Sequence, residues 1–411
     1  MITRTTRLGL LAATLAIVAS ACGGAATSAP ASAPVSAPAS AAAPVSAPVS
    51  APVSAPVSAP VSAPVSAPSP SPAASASTLK IGVVTDVGRI DDKNFNQFTY
   101  QGAVDGATAI GAPAPQYVVP TGPSDYAKDI QGFVDQNYNV IVTVGYNLST
   151  DTIKAAKANP NIWFIGEDQA PCVDAQGNPD STFACKGDAA TLLPKLIGVK
   201  FQEDQVGYLA GIVAAAVSKT GVIGQLGGIN NNPAVVKYLQ GYILGAKSYN
   251  PNVTVDTAFY STGDLTKAYG DPVWGKTFAK QFIAQKHPDV VFQVAGNTGN
   301  GALDAACDAG IWGIGVDVDQ YLSYPNADKC IIFSAEKHVA VAMSSTIEAI
   351  AAGTAKGGIS MFNASNDGVG GSPITNVTLS ADAQTKLNDA LAGMKAGTLT
   401  TCPDKCGTWT P

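Results

Sequence analysis

The strongest constraint on the fold is the alternation of two hydrophobic patterns along residues 79–411. Short runs rich in Val and Ile alternate with longer stretches whose apolar residues recur at helical spacing. Short Val- and Ile-rich runs are typical of parallel strands buried on both faces. Parallel strands need crossover connections, which are usually helices. The strand candidates are residues 79–85, 140–144, 162–165, 222–226, 290–294 and 314–318, and the helix candidates are residues 96–110, 151–158, 205–217, 234–249, 275–285 and 301–309. The alternation predicts an α/β protein with parallel sheets.

The length of this region indicates more than one core. About 330 residues follow residue 78, which is more than one small core accommodates and suits two lobes. In open parallel sheets, ligands bind beyond the carboxyl ends of the strands. The polar residues that follow the strand candidates are therefore the first place to look for a site.

The N-terminal residues have the pattern of an export signal. Arg4 and Arg7 precede an apolar run at residues 8–19, and small residues lead into Cys22. The run is too short to span a bilayer. Residues 1–21 are therefore predicted to be a lipoprotein signal peptide, although Ala19 stands where such motifs usually have Leu. We expect Cys22 to be acylated and to anchor an exported protein to the outer face of the cell membrane, with a plain secreted protein as the alternative.

Residues 22–78 form a segment of unusual composition. From residue 25 they repeat Ser, Ala, Pro and Val without a charge. Such a segment cannot bury enough apolar surface to fold, and its prolines favour an extended chain of about 3.1 Å per residue. The sequence predicts a disordered stalk between the lipid and a folded domain at residues 79–411. An unselected repeat expansion is the alternative interpretation.

Charge and cysteine content exclude some functions. Removal of Arg4 and Arg7 with the signal takes the formal net charge from −6 to −8, which is unsuited to nucleic acid. An even number of further cysteines in an exported chain favours disulfides over a zinc site. The expected local pairs are Cys172 with Cys185, Cys307 with Cys330, and Cys402 with Cys406. The sequence indicates no metal and no cofactor.

Several motifs resemble one family in the same order along the chain. They are residues 83–97, 201–211, 227–228, 233–242, 270–276, 295–301 and 315–320. Together they resemble the basic membrane protein family of substrate-binding lipoproteins, whose characterised members bind purine nucleosides for an ABC importer. The resemblance implies a type I periplasmic-binding-protein fold with two doubly wound lobes. The expected hinge crossings lie near residues 195–202, 317–321 and 368–374, so that lobe 1 holds about 79–198 and 320–368, and lobe 2 about 199–319 and 369–411.

The resemblance also assigns roles to polar residues. Asp168 matches the carboxylate that binds the base edge, while Asp317 and Lys337 match the groups that hold ribose. Asp86 and Asn96 are expected to line the same cleft. The alternative for Asp317 and Lys337 is an ordinary ion pair at the lobe boundary.

Two aromatic rings are expected to stack on the base. Phe95 looks like one of them, although it could instead be a hydrophobic staple of its helix. The second is Tyr269, because the family usually places Phe just before the motif at residues 271–276 and this chain has Tyr269 and Gly270 there. Trp274 and Tyr238 are the fallback candidates.

Other features of this region have simpler explanations. The resemblance implies that Gly296 allows close approach of the backbone to a ligand at a helix N-terminus. Asp91 and Asp92 suit loop or N-cap roles better than ligand contact. Residues 270–277 satisfy the P-loop pattern, but Pro272 removes a backbone donor and Trp274 crowds the phosphate cradle.

The expected function follows from these observations. His287 and His338 lie in no catalytic or metal-binding pattern, so we expect a binding protein and not an enzyme. The resemblance implies a monomeric lipoprotein that captures nucleosides and delivers them to a membrane permease with its ATPase. Binding of a sugar or another small polar solute is the first alternative. A surface receptor or adhesion protein, which the long stalk would suit, is the second.

Overall fold

The computed structural model of the chain describes residues 77–410. The predicted signal peptide, Cys22 and nearly all of the predicted stalk lie outside the described residues. The strands are β1 Ile81–Val84, β2 Gln116–Val118, β3 Val140–Val144, β4 Trp163–Glu167, β5 Leu196–Phe201, β6 Val222–Gly227, β7 Thr254–Phe259, β8 Val290–Val294, β9 Trp312–Asp317, β10 Ile331–Lys337, β11 Gly358–Phe362 and β12 Val369–Gly371.

Helices connect most of these strands. They are α1 Phe95–Ala109, α2 Tyr126–Asp135, α3 Ser149–Ala158, α4 Ala189–Leu192, α5 Glu203–Val217, α6 Pro233–Tyr249, α7 Pro272–Lys286, α8 Gly296–Asp308, α9 Gln320–Ser323, α10 Val339–Ala351 and α11 Ala381–Lys395. Between residues 77 and 410, no helix is both long and apolar enough to cross a membrane.

The strands form two six-stranded sheets. The first has the order β11-β5-β4-β3-β1-β2, and the second has the order β12-β10-β9-β8-β6-β7. Neighbouring strands pair in parallel, except that β12 runs antiparallel to β10. Each sheet with its helices forms one lobe, which confirms the predicted α/β architecture with parallel sheets.

Uncharged strands and closely approaching helices explain how the lobes pack. All five residues of β3 are buried, as expected for an apolar run covered on both faces. Helix α5 is buried almost throughout and packs against α6. A Cβ atom at Gly211 of α5 would lie 2.1 Å from the carbonyl oxygen of Tyr242 of α6, so only glycine permits this approach.

The chain passes between the lobes at three places. It crosses from β5 to α5, from β10 to α10, and from β11 to β12. Helix α10 belongs to the first lobe, where it packs on α1. By sheet membership, the first lobe holds residues 77–201 and 339–362, and the second holds residues 203–337 and 364–410.

The predicted second crossing near residues 317–321 is wrong. Strand β9 ends at Asp317, but β10 then pairs in parallel with β9 in the same sheet. The chain therefore stays in the second lobe until Lys337, and residues 320–337 do not belong to lobe 1. The third crossing also lies earlier than predicted, between Phe362 and Val369, because β12 already belongs to the second sheet.

Three disulfides link residues that are near in sequence. Cys172 is joined to Cys185, Cys307 to Cys330, and Cys402 to Cys406, as the sequence predicts. The first closes a loop after β4, and the second ties α8 to the start of β10. The third lies in the C-terminal segment, whose backbone is held by the Gln240 side chain of α6.

Candidate functional site

A cavity lies between the lobes where the carboxyl ends of their strands face each other. It encloses about 580 Å³, including space open to solvent at its mouth. The structure brings all eight predicted ligand-binding residues to this one cavity. They are Asp86, Phe95, Asn96, Asp168, Tyr269, Gly296, Asp317 and Lys337.

A buried lysine at the end of β10 connects the two lobes. The Lys337 ammonium lies 2.7 Å from Asp168 Oδ2 in the first lobe and 3.4 Å from Asp317 Oδ1 in the second. Burial opposes the charge of Lys337, but the two carboxylates outweigh burial and raise its pKa above the ordinary value. Lys337 is thus paired with both candidate carboxylates, and the contact with Asp168 is the shorter one.

The carboxyls of this cluster differ in their titration. Burial raises the pKa of Asp168, but Lys337 and Lys200 outweigh burial and lower it below the ordinary 3.8. Burial raises the pKa of Asp317 to about 6, although Lys337 acts against it. Burial likewise raises the pKa of Asp86 to about 6, against a hydrogen bond from the backbone of Gly88. At neutral pH the cavity therefore holds negative charge close to one ammonium.

Two buried oxygens of the cavity wall accept no hydrogen bond. Asp168 Oδ1 and Asn96 Oδ1 are both without a partner among the described residues. Asp168 is 6% exposed and Asn96 is 5% exposed. Buried acceptors of this kind are costly unless a donor reaches them. Both residues line the cavity, so each oxygen is a candidate acceptor for a donor on a ligand.

Aromatic rings contribute the flat surfaces of the cavity. Phe95 is the first residue of α1 and is 9% exposed, with the Lys337 ammonium 4.6 Å from its ring centroid. Tyr269 lies in a π-helical turn, and its hydroxyl accepts a hydrogen bond of 3.2 Å from Asn232 Nδ2. A Cβ atom at Gly228 would lie 2.3 Å from the Tyr269 ring, which fixes the ring against the backbone.

The two fallback aromatics have different positions. Trp274 does not line the cavity: its indole nitrogen donates to the carbonyl of Tyr260, and its ring packs on Phe278. Tyr238 does line the cavity, and its hydroxyl donates to Asp317 Oδ1 at 3.1 Å. Tyr238 therefore orients a carboxylate of the cavity.

Asp91 and Asp92, in the loop between β1 and α1, have different roles. Asp91 is exposed and pairs with Arg89. Asp92 is buried and accepts backbone hydrogen bonds from Asn94, Asn96 and Gln97 at the start of α1. Neither lines the cavity, in agreement with the loop and helix-start roles expected for them.

The segment that satisfies the P-loop pattern is the start of a helix. Pro272 is the first residue of α7, and the Asp271 side chain caps that helix by accepting from the N–H of Trp274. The Lys276 ammonium lies 3.0 Å from Asp308 of α8. The lysine of the pattern is thus engaged in an ion pair, and the segment does not form a phosphate cradle.

Sequence reasoning missed several residues of the cavity wall. Three of them follow β3, namely Gly145, Tyr146 and Asn147. The rule that ligands bind beyond the carboxyl ends of parallel strands could have identified them. Other missed residues lie at the start of α6 and at the end of β8. They are Asn232, Ala234, Val235, Val294 and Ala295.

Two doubly wound lobes around a polar cavity define the type I periplasmic-binding-protein fold. A solved solute-binding protein of an ABC transporter system from Aeropyrum pernix K1 has this architecture. It aligns with a TM-score of 0.66 at 21% identity, over 80% of this chain and 94% of that chain. The comparison confirms the predicted fold.

The chain belongs to the family of PnrA-like ABC transporter substrate-binding proteins, whose family model matches residues 79–393. It is similar to the ABC transporter nucleoside-binding protein BmpA of Lactococcus lactis subsp. cremoris (strain MG1363), with 28% identity over 71% of this chain and 80% of that protein. It is also similar to basic membrane protein D of Borreliella burgdorferi (strain JD1), with 29% identity over 71% of this chain and 77% of that protein. The predicted family is therefore confirmed. Substrate-binding proteins of ABC transporters bind small molecules outside the cytoplasm, deliver them to the permease and are not enzymes.

Proposed function

We propose that this protein captures purine nucleosides in the cavity between its lobes and delivers them to an ABC permease with its ATPase. The observation that carries the proposal is Asp168, which is buried between the lobes with Oδ2 held by Lys337 and Oδ1 unpaired. A carboxylate fixed in this way accepts from a donor on the edge of a base. The name of the Lactococcus relative supports the same ligand class.

The base is proposed to lie between Phe95 and Tyr269. A purine offers two apolar faces and a polar edge, and aromatic side chains match the faces. The unpaired oxygens of Asp168 and Asn96 supply acceptors for N–H groups of the base edge. The Lys337 ammonium near the Phe95 ring adds a cation that can contact the π-system of the base.

The ribose is proposed to contact Asp317 and Lys337. Tyr238 and Lys337 both hold Asp317 Oδ1, so the orientation of this carboxylate is fixed before the ligand arrives. Gly296 begins α8 with a φ of 52°, a left-handed conformation that glycine adopts without strain. The N–H groups at this helix start are available to hydroxyl oxygens of the ligand.

The composition of the cavity favours a nucleoside over a simple sugar. Sugar sites usually set Arg and Asn against hydroxyl groups. Within residues 77–410, Arg89 is the only arginine. It pairs with Asp91 on the surface and does not line the cavity. As described, the wall contains Asn96, Asn147 and Asn232 but no arginine, and it combines carboxylates with aromatic rings, which suits a ligand with a flat base.

Calorimetric titration of the purified protein with nucleosides, free bases and pentoses tests the proposal. Inosine, guanosine or adenosine should bind with micromolar or tighter Kd, about −8 kcal/mol or better. Asp168→Asn should weaken binding, whereas Asp91→Asn on the surface is the matched control and should not. A melting temperature that rises with ribose or glucose but with none of the nucleosides would rule the proposal out.

The proposed location follows from residues outside the described part of the chain. We propose that Cys22 is acylated and that residues 22–78 hold a monomeric binding domain away from the outer face of the cell membrane. Labelled palmitate should enter the wild-type protein and not the Cys22→Ser variant. Equal labelling of both would exclude Cys22 as the lipidation site.

A further inference from the structure

Among the described residues, two hydrogen bonds join the lobes away from the three chain crossings and from the ion pairs of Lys337. Asn300 Nδ2 of α8 donates to the carbonyl oxygen of Asp92 at 2.9 Å. Ser323 Oγ of α9 donates to the carbonyl oxygen of Lys93 at 3.1 Å. Both donors belong to the second lobe, and both acceptors belong to the loop of the first lobe that leads into Phe95 and Asn96. None of the four residues lines the cavity.

The Asn300 amide is oriented by a buried network within the second lobe. Its Oδ1 accepts from Gln320 Nε2 at 2.8 Å, so its NH₂ group is the part that faces the Asp92 carbonyl. Gln320 Oε1 in turn accepts from Gln293 Nε2 at 2.6 Å and from the N–H of Val316. Gln293 and Val316 belong to β8 and β9, whose ends form part of the cavity wall. The donor is therefore tied to the strands that position the ligand.

The acceptor loop is held equally firmly in the first lobe. The Asp92 carboxylate accepts from the N–H groups of Asn94, Asn96 and Gln97. Lys93 has a φ of 62°, and its N–H donates to the Gln97 side chain at 3.0 Å. The carbonyl oxygens of Asp92 and Lys93 are thus fixed, and they remain available to partners on the second lobe.

Ligand exchange requires these cross-lobe bonds to break. Residues of the cavity wall such as Phe95, Asp168 and Lys337 are at most 9% exposed, so the lobes must separate before a ligand enters or leaves. We propose that Asn300 and Ser323, with the carbonyls of Asp92 and Lys93, form an interlobe latch that sets the rate of ligand release. Bonds that form only on closure slow dissociation and leave the encounter of ligand with the open form unchanged.

Two variants and a matched control test the latch. Asn300→Asp keeps an acceptor for Gln320 but sets an oxygen against the Asp92 carbonyl, and Ser323→Ala removes the second donor. Tyr324→Phe is the control, because it removes a hydrogen bond to Asp304 that lies wholly within the second lobe. With guanosine as the probe, stopped-flow dissociation should be roughly twofold to tenfold faster in each latch variant. The association rate should stay within about a factor of two, and the control should match the wild type.

A second measurement separates the latch from the identity of the ligand, since the choice of guanosine rests on the proposed function. Ligand-free protein that samples the closed form makes both bonds for part of the time. Hydrogen exchange of residues 86–97 in the ligand-free, full-length protein should therefore be faster in both latch variants than in Tyr324→Phe. If the wild type binds none of guanosine, inosine and adenosine, the proposed function fails while the exchange result still decides the latch. If Asn300→Asp lowers the melting temperature well below that of the control, the Ser323→Ala variant at the half-buried Ser323 decides alone. Exchange equal to the control, or slower association with unchanged dissociation, would overturn the latch.

Discussion

Replacement of Lys337 by methionine should destabilise the fold, because two buried carboxyls lose their positive partner. Lys337 is 3% exposed, and its ammonium lies 2.7 Å from Asp168 and 3.4 Å from Asp317. Methionine fills similar space but leaves both buried carboxyls without their cation. Removal of one partner from a buried ion pair costs about 3–5 kcal/mol. We therefore expect the free energy of unfolding at pH 7.5 to fall by about that amount.

The loss of unfolding free energy in Lys337→Met should be larger at high pH than at low pH. Lys337 keeps the pKa of Asp168 below its ordinary 3.8 against the effect of burial. Without Lys337, we expect burial to raise the pKa of Asp168 and to raise the pKa of Asp317 further above its ordinary value. A carboxyl whose pKa is raised by folding loses its stabilising contribution as the pH rises through that pKa. The variant should therefore recover part of its stability at pH 5, where the Asp317 carboxyl is mostly neutral in the folded protein.

Urea unfolding of both proteins at pH 5 and pH 7.5 measures the effect. Lys280→Met is the matched control, because Lys280 pairs with Asp308 on the exposed surface. Loss of an exposed pair should cost less than about 1 kcal/mol and should not reverse with pH. A deficit for Lys337→Met below about 1 kcal/mol, or one that is equal at both pH values, would refute the reasoning.

Three further outcomes are expected. Asp168→Ala should weaken nucleoside binding by roughly 1–3 kcal/mol, about tenfold to a hundredfold. Asp317→Ala should instead erase the preference for a ribonucleoside over its free base. If a calorimetric titration shows that Asp317→Ala weakens both ligands equally, Asp317 has a structural role. Affinity should fall between pH 7.5 and pH 5, because burial raises the pKa of Asp86 and of Asp317 to about 6 and protonation removes acceptors that a ligand needs; a flat titration series across this range would argue against it. Replacement of Cys172 and Cys185 by serine should lower the free energy of unfolding by about 3 kcal/mol in the chain-entropy model, and peptide mapping that finds both thiols free in the wild type would contradict the premise.

The central strands and their helices were predictable, because a strand buried on both faces is a short, mostly apolar run in the sequence. Strands β3 and β8 each have four apolar residues out of five, all buried, and the sequence places both strands at the observed residues. The eight cavity residues were also predictable, since the family motifs preserve their order along the chain. The three disulfides followed from an even number of nearby cysteines in an exported chain.

Strands at sheet edges or with polar residues escaped sequence analysis. β2 and β7 are partly exposed, so they carry no continuous apolar run. β10 contains Ser334, Glu336 and Lys337, which interrupt its apolar pattern although five of its seven residues are buried in a row. Because β10 was missed, the second crossing was placed too early, at the end of β9.

The sequence by itself determined that this chain forms parallel α/β lobes, that it belongs to a solute-binding family, and which side chains stand at the strand ends. Tertiary structure alone decided which lobe β10 joins, that Lys337 lies closer to Asp168 than to Asp317, and that Asn300 reaches Asp92. The physical reason is that hydrophobic periodicity records how deeply each residue is buried within its own element. Contacts between residues more than a hundred positions apart depend instead on how the two sheets face each other, and local periodicity carries no record of that.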